Sequence, residues 1–238
     1  MTAAVLAPPL ARRVASMGVA IGTALVIVAA VLLALTTPFY MHPALDQSQS
    51  AAYLGTVPAT ARQLSDLTIH ELYAGPGTFA FSWTPGGTVQ PFYDAAEIQH
   101  LQAVHVVLFG FLALAAISAL LLIVGLATVR GTAWFWRAVA RGAASMAGFL
   151  VVIGVFAAVA FDQAFTLFHE IFFPGGDWSF DPATEHLVQL YPTAFWELTA
   201  AVLVGSSVLI GLVVWWFARR RVARLAAAPP PAPPGTPA

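Results

Sequence analysis

The chain has 238 residues, 59% of them apolar and only 9% charged, where a soluble domain carries roughly 25% charged residues. This is the composition of an integral membrane protein, and a formal net charge of −1 argues against a nucleic-acid partner. The absence of cysteine excludes a disulfide framework, a thiolate metal site and a cysteine nucleophile together. No phosphate-cradling glycine loop, dinucleotide fingerprint or zinc-protease helix is present.

Four segments are apolar enough over about 20 residues to cross a bilayer as helices. They fall at residues 15–36, 106–129, 142–161 and 194–218. The first is longer than a typical signal core, and "ALTTPFYMHP" lacks a small-x-small cleavage pattern, so it reads as a retained helix. Arg12 and Arg13 precede it. Arg130, Arg137 and Arg141 lie in the connection 130–141, and Arg219, Arg220, Arg221 and Arg224 follow the last span. Nine of the ten basic residues therefore share one side, with Arg62 alone on the other. Positively charged short loops stay in the cytoplasm, which predicts cytoplasmic segments at 1–14, 130–141 and 219–238 and two outward loops at 37–105 and 162–193. The expected fold class is an all-α integral membrane protein whose two outer loops form a small extracytoplasmic cap.

In the first outer loop, "TARQLSDLTIHELY" places Leu64, Leu67 and Leu72 at near-helical spacing, with Thr56 or Thr60 available as N-cap. "AGPGTFAFSW" and "PGGTVQPFY" read as turns and short extended pieces. "YDAAEIQHLQAVH" then leads into the second span. Asp94 can cap that helix, and Glu97 and His100, three apart, share a face. At 1.5 Å per residue, His100 sits about 9 Å before Val106, at headgroup depth. A carboxylate one turn away can orient an imidazole and raise its basicity. The bland alternative is a polar helix start with a solvated histidine. His105 lies roughly 500° around the helix from His100, on a different face.

After the third span, "FDQAFTLFHEIFF" sets Phe161, Phe165, Phe168 and Phe172 along one helical side, the pattern of a helix in the membrane interface. His169 sits among these rings. "PGGDWSFDP" adds a glycine turn with Trp178, and Asp181 before Pro182 gives a further turn signal. His42, His70 and His186 have no neighbours in sequence that raise them above solvated loop residues. The tail "APPPAPPGTPA" reads as extended and disordered. Histidines from separate segments at one depth leave three classes open. They are acid–base chemistry on a lipid-like substrate, a metal or haem site using His100, His105 and His169, and a structural protein without chemistry.

The motifs "EIQH" and "DQAFTLFHEIFFPGGDWSFDP", with the later "LVQLYPTAFW", resemble the lipoprotein intramolecular transacylase family of bacterial four-helix membrane proteins. The resemblance spans roughly residues 32–217. It departs from the family pattern at Ala103, where an acidic residue is common, and at His105, where a basic one is. What it implies is transfer of one acyl chain of a diacylated lipoprotein from the glyceryl ester to the α-amine of its N-terminal lipidated cysteine. His100 and His169 would be catalytic, with Glu97, Asp162, Trp178 and Asp181 supporting them. Phe161, Phe165, Phe168, Phe172 and Phe173 would bury acyl chains. The reaction implies no metal or other cofactor, membrane lipids and the lipoprotein as partners, and a site on the outer face of the bacterial cytoplasmic membrane.

Overall fold

The computed structural model describes residues 9–176 and 178–227. The Pro-rich tail expected at 228–238 and the first eight residues of the expected segment 1–14 lie outside the described residues. In chain order the elements are α1 (Pro9–Leu35), α2 (Pro38–Gln47), α3 (Ser50–Tyr53), α4 (Pro58–Tyr73), β1 (Ser82–Trp83) and β2 (Gln90–Pro91). Then come α5 (Ala95–Val129), α6 (Ala133–Val159), α7 (Phe161–Phe172), α8 (His186–Leu190) and α9 (Thr193–Ala227). Among the described residues α1, α5, α6 and α9 are long and apolar enough to cross a membrane. Helices are required there, because hydrocarbon offers backbone N–H and C=O groups no other partner.

The long helices overrun the spans expected from hydropathy. Thirty-five residues of α5 extend about 52 Å, against about 30 Å of hydrocarbon. Its start is eleven residues ahead of the predicted span, because Asp94 and Glu97 form a reciprocal cap there. Asp94 Oδ1 accepts the Glu97 N–H at 2.8 Å, and Glu97 Oε2 accepts the Asp94 N–H at 2.8 Å.

By contacts the chain forms two units. One comprises Val28–Leu114 and Phe149–Ser207. Its core gathers Met41, Leu45, Leu64, Phe79, Phe92 and Leu190 with their neighbours, under α2, α3, α4 and α8. α4 forms as predicted, but neither Thr56 nor Thr60 caps it. Val57 occupies the cap without a side-chain bond, and Pro58 starts the helix, since proline brings a helical φ and no orphan N–H. Leu64 and Leu72 are buried whereas Leu67 is exposed; Thr68 takes the inward position. The Thr68 hydroxyl donates to the Leu64 carbonyl at 2.8 Å and lies 2.8 Å from the Tyr93 hydroxyl. Tyr191 donates to Ser65 at 3.1 Å from the other end of the chain.

Glu71, at the end of α4, gathers the next turn by accepting the N–H groups of Thr78 at 2.9 Å and Phe79 at 3.1 Å. That holds Phe79 in the left-handed region at φ 52°, with its ring fully buried. The predicted extended pieces pair as a two-residue antiparallel ladder, β1 against β2.

The other unit comprises Met1–Ile27, Ala115–Gly148 and Val208–Ala238. Phe135, Trp136, Val139, Ala140 and Ala218 form its core. Its helices approach closely through small residues, as membrane helices do when packing rather than hydrophobicity drives association. A Cβ on Gly142 would overlap the Ala20 carbonyl of α1, a backbone atom that no side-chain rotation can move aside. A valine at position 142 is therefore expected to destabilise the protein by about 1–3 kcal/mol through overpacking. Melting of the purified protein in detergent should fall for Gly142→Val and stay unchanged for Gly148→Ala, where the space is open.

Candidate active site

His100 lies one turn beyond the α5 cap and is buried. The Glu97 that precedes it is 1% exposed, and its second oxygen accepts the Leu187 N–H at 2.5 Å. Both carboxylate oxygens thus serve backbone donors, one opening α5 and one inside α8. Glu97 fixes the position of the helix turn that carries His100 and binds it to the segment entering α9.

His169 comes from α7, which forms over the predicted residues. The chain breaks from α6 at Ala160 (φ −144°, ψ 64°) and restarts as a strongly amphipathic helix. His169 Nδ1 lies 2.8 Å from the Phe165 carbonyl oxygen. A carbonyl only accepts, so Nδ1 carries the proton and the lone pair is left on Nε2. The ring is enclosed by Phe165 at 4.0 Å, Trp178 at 5.0 Å, Phe168 at 5.4 Å and Phe173 at 5.7 Å between centroids. Burial among these rings pushes the His169 pKa below its usual 6.5, and the carbonyl hydrogen bond offsets this only in part.

The two imidazoles meet. Their ring centroids are 5.9 Å apart with planes 27° from parallel, and Phe173 packs edge-on against His100 at 5.0 Å. Phe180 closes a further side of His100 at 5.6 Å. Phe161 and Phe165 continue the aromatic surface along α7 toward Trp196, while Phe168 and Phe172 pack with tilted rings at 4.8 Å and stay about half exposed.

The remaining sequence candidates lie apart from this pair. Asp162 is exposed, on the His169 face of α7 but two turns away, about 10 Å along the axis. Asp181 Oδ1 accepts the Ala183 N–H at 2.9 Å, and its own N–H donates to Glu185, which builds the turn before α8. His105 Nδ1 donates to the Leu72 carbonyl at 2.9 Å, and the ring stacks on Phe109 at 4.4 Å, so it does not join His100 and His169. Among the described residues no group of three His, Asp or Glu converges in a way that could hold a metal ion.

Sequence reasoning missed His186. It is half-buried, stacked on Phe92 at 5.0 Å and edge-on to Trp83 at 4.9 Å, and its Nδ1 donates to the Phe92 carbonyl. The acceptor stands 94 positions earlier, so no local spacing could have revealed it.

Glu97→Gln should lower the melting temperature, since the amide keeps one acceptor and turns an NH₂ toward a backbone N–H. Leaving a buried donor unsatisfied costs about 1–3 kcal/mol. Unchanged melting in detergent would show that the Glu97 bridge contributes nothing.

A sequence model of the family described as lipoprotein intramolecular transacylase Lit matches residues 63–196. No curated protein sequence matches. The fold is similar to the structure of the membrane-integral lipoprotein intramolecular transacylase Lit from Bacillus cereus, with a TM-score of 0.76 at 15% identity, covering 93% of this chain and 100% of that one. A histidine-to-arginine variant of the same Bacillus cereus protein gives 0.68 at 15% identity, over 90% of this chain and 93% of that one. The family match covers more than half of the sequence and includes both the Glu97–His100 turn and the whole of α7. The chain is a membrane-integral enzyme of the lipoprotein intramolecular transacylase family.

Proposed function

We propose that the protein moves an acyl chain within a diacylated lipoprotein, from the glyceryl ester to the α-amine of the lipidated N-terminal cysteine, and that His100 and His169 carry the reaction. The observation that supports this most is the facing of two buried imidazoles inside an aromatic shell, one with its basic nitrogen defined. His169 Nε2 takes a proton from the substrate α-ammonium, whose pKa near 8 makes the transfer accessible at neutral pH. The freed amine attacks the ester carbonyl. His100 donates to the developing oxyanion, and as the tetrahedral carbon expels the glyceryl oxygen, that oxygen takes a proton from the imidazolium. The products are an amide and an alcohol, and one proton is released to solvent.

Amine and ester belong to one molecule, so proximity is supplied by the substrate and acid–base help of about 10²–10⁴-fold is what the protein must add. Phe161, Phe165, Phe168, Phe172 and Phe173 hold acyl chains at about 0.8 kcal/mol per buried CH₂. Trp178 packs on His169 and keeps its ring in place, while Asp162 and Asp181 act at the ends of the segment. On this reading the arginine-rich ends are cytoplasmic, and the site faces outward in the bacterial cytoplasmic membrane, where lipid-anchored proteins reside.

Incubating the purified protein with a synthetic diacylated lipopeptide tests the reading. Substrate and product have equal mass, so tandem mass spectrometry must locate the chain, and an N-acyl cysteine fragment is expected. His100→Ala and His169→Ala should each lose about 10²-fold or more of the rate while melting normally. Near-normal turnover would remove that histidine from the mechanism. Burial lowers the His169 pKa, so the acid limb of kcat/KM should lie below the usual imidazole value of about 6.5 rather than above it. An acid limb above pH 7 would contradict His169 as base.

A further inference from the structure

The unit formed by Met1–Ile27, Ala115–Gly148 and Val208–Ala238 holds nine arginines and not one aspartate or glutamate; all eleven acidic residues of the chain fall in the other unit. Its arginines have no carboxylate side chain within their own unit to neutralise them. Arg141 donates to the Ser16 hydroxyl, and three others lie over aromatic rings. In "WWFARRR" each aromatic ring stands four residues before an arginine, so each pair shares a helical face. Arg219 lies over Trp215 at 5.7 Å, Arg220 over Trp216 at 3.9 Å and Arg221 over Phe217 at 5.6 Å, with Trp136 of α6 also 5.7 Å from Arg221. Consecutive residues advance about 100° around a helix, so the three guanidinium groups cover roughly 200° of its circumference.

We propose that this aromatic–arginine collar binds the headgroup phosphates of anionic phospholipids. Tryptophan settles at the membrane–water boundary, which places the collar one turn outside it, at phosphate depth. A guanidinium lying over a ring still presents its N–H edge, and that edge matches phosphate oxygens in a bidentate way. The exposed Arg137 and Arg141 of α6 extend the same charge in this unit. A solvated arginine run would confer attraction by charge alone; the collar makes a further demand, that the rings matter.

Native mass spectrometry of the detergent-released full chain, titrated with phosphatidylglycerol or with phosphatidylcholine of identical acyl chains, reads this directly. Retained phosphatidylglycerol adducts are expected to exceed phosphatidylcholine adducts. An arginine near an anionic surface contributes about five-fold, so Arg219→Gln/Arg220→Gln/Arg221→Gln should cut that selectivity by about ten-fold or more. Trp215→Leu/Trp216→Leu keeps every charge, and hence the orientation signal, and should lower selectivity partway. Equal binding of the two lipids, or selectivity unchanged in the arginine variant, would overturn the proposal. Full selectivity in the tryptophan variant would overturn the collar and leave charge alone. Displacement of lipid by millimolar inorganic phosphate would overturn the lipid as occupant and make this a free-phosphate site.

Discussion

A single buried carboxylate organises the site. Glu97 accepts one backbone N–H from the start of its own helix and one from α8, ninety positions later in the chain. Removing a carboxylate from water is costly, and two backbone N–H donors compensate because these groups would otherwise be orphans at helix ends. The same bonds set where α5 begins, and therefore how far His100 stands from the membrane-spanning part of that helix. The α8 segment, pinned at Leu187, brings Tyr191 onto Ser65 and leads into α9. Loss of the bridge would loosen the floor beneath His100 rather than remove a reacting group.

The second constraint is electrostatic and comes from rings. An imidazole surrounded by phenylalanine and tryptophan is poorly solvated as a cation, so His169 stays neutral near neutral pH. Its proton is placed by the Phe165 carbonyl, one turn earlier on the same helix. Tyr93 and Tyr191, buried beneath the cap, are likewise kept neutral: burial pushes Tyr93 well above its usual value and Tyr191 up to about 12. Their hydroxyls act as hydrogen-bond groups that join α4 to the later chain. Tyr93, Tyr191 and Glu97 thus each tie one segment of this unit to another.

Charge is distributed along the chain as sharply as polarity. One unit carries only positive side chains and the other carries every acid. In the first, glycines and alanines let helices touch, and aromatic rings hold arginines at its edge. In the second, larger residues fill a core beneath short helices.

Much of this was legible without coordinates. Membrane class, four spans, α4 and α7 followed from apolar run length and 3.6-residue periodicity, because both are local properties of a helix in or on a bilayer. The Asp94–Glu97 cap was readable for the same reason, and the pairing of His100 with His169 entered only through motif resemblance. What the tertiary structure decided depended on partners far apart in sequence. The second acceptor role of Glu97, the burial of His186 against Phe92 and the inward choice of Thr68 over Leu67 all required knowing which segments pack together. The short helix α2 was missed because Met41, Ala44 and Leu45 pack on a core made by distant chain, and α3 because its single turn buries only Ser50 and leaves Tyr53 exposed. Local physics specified the elements; long-range packing selected which of their side chains would meet.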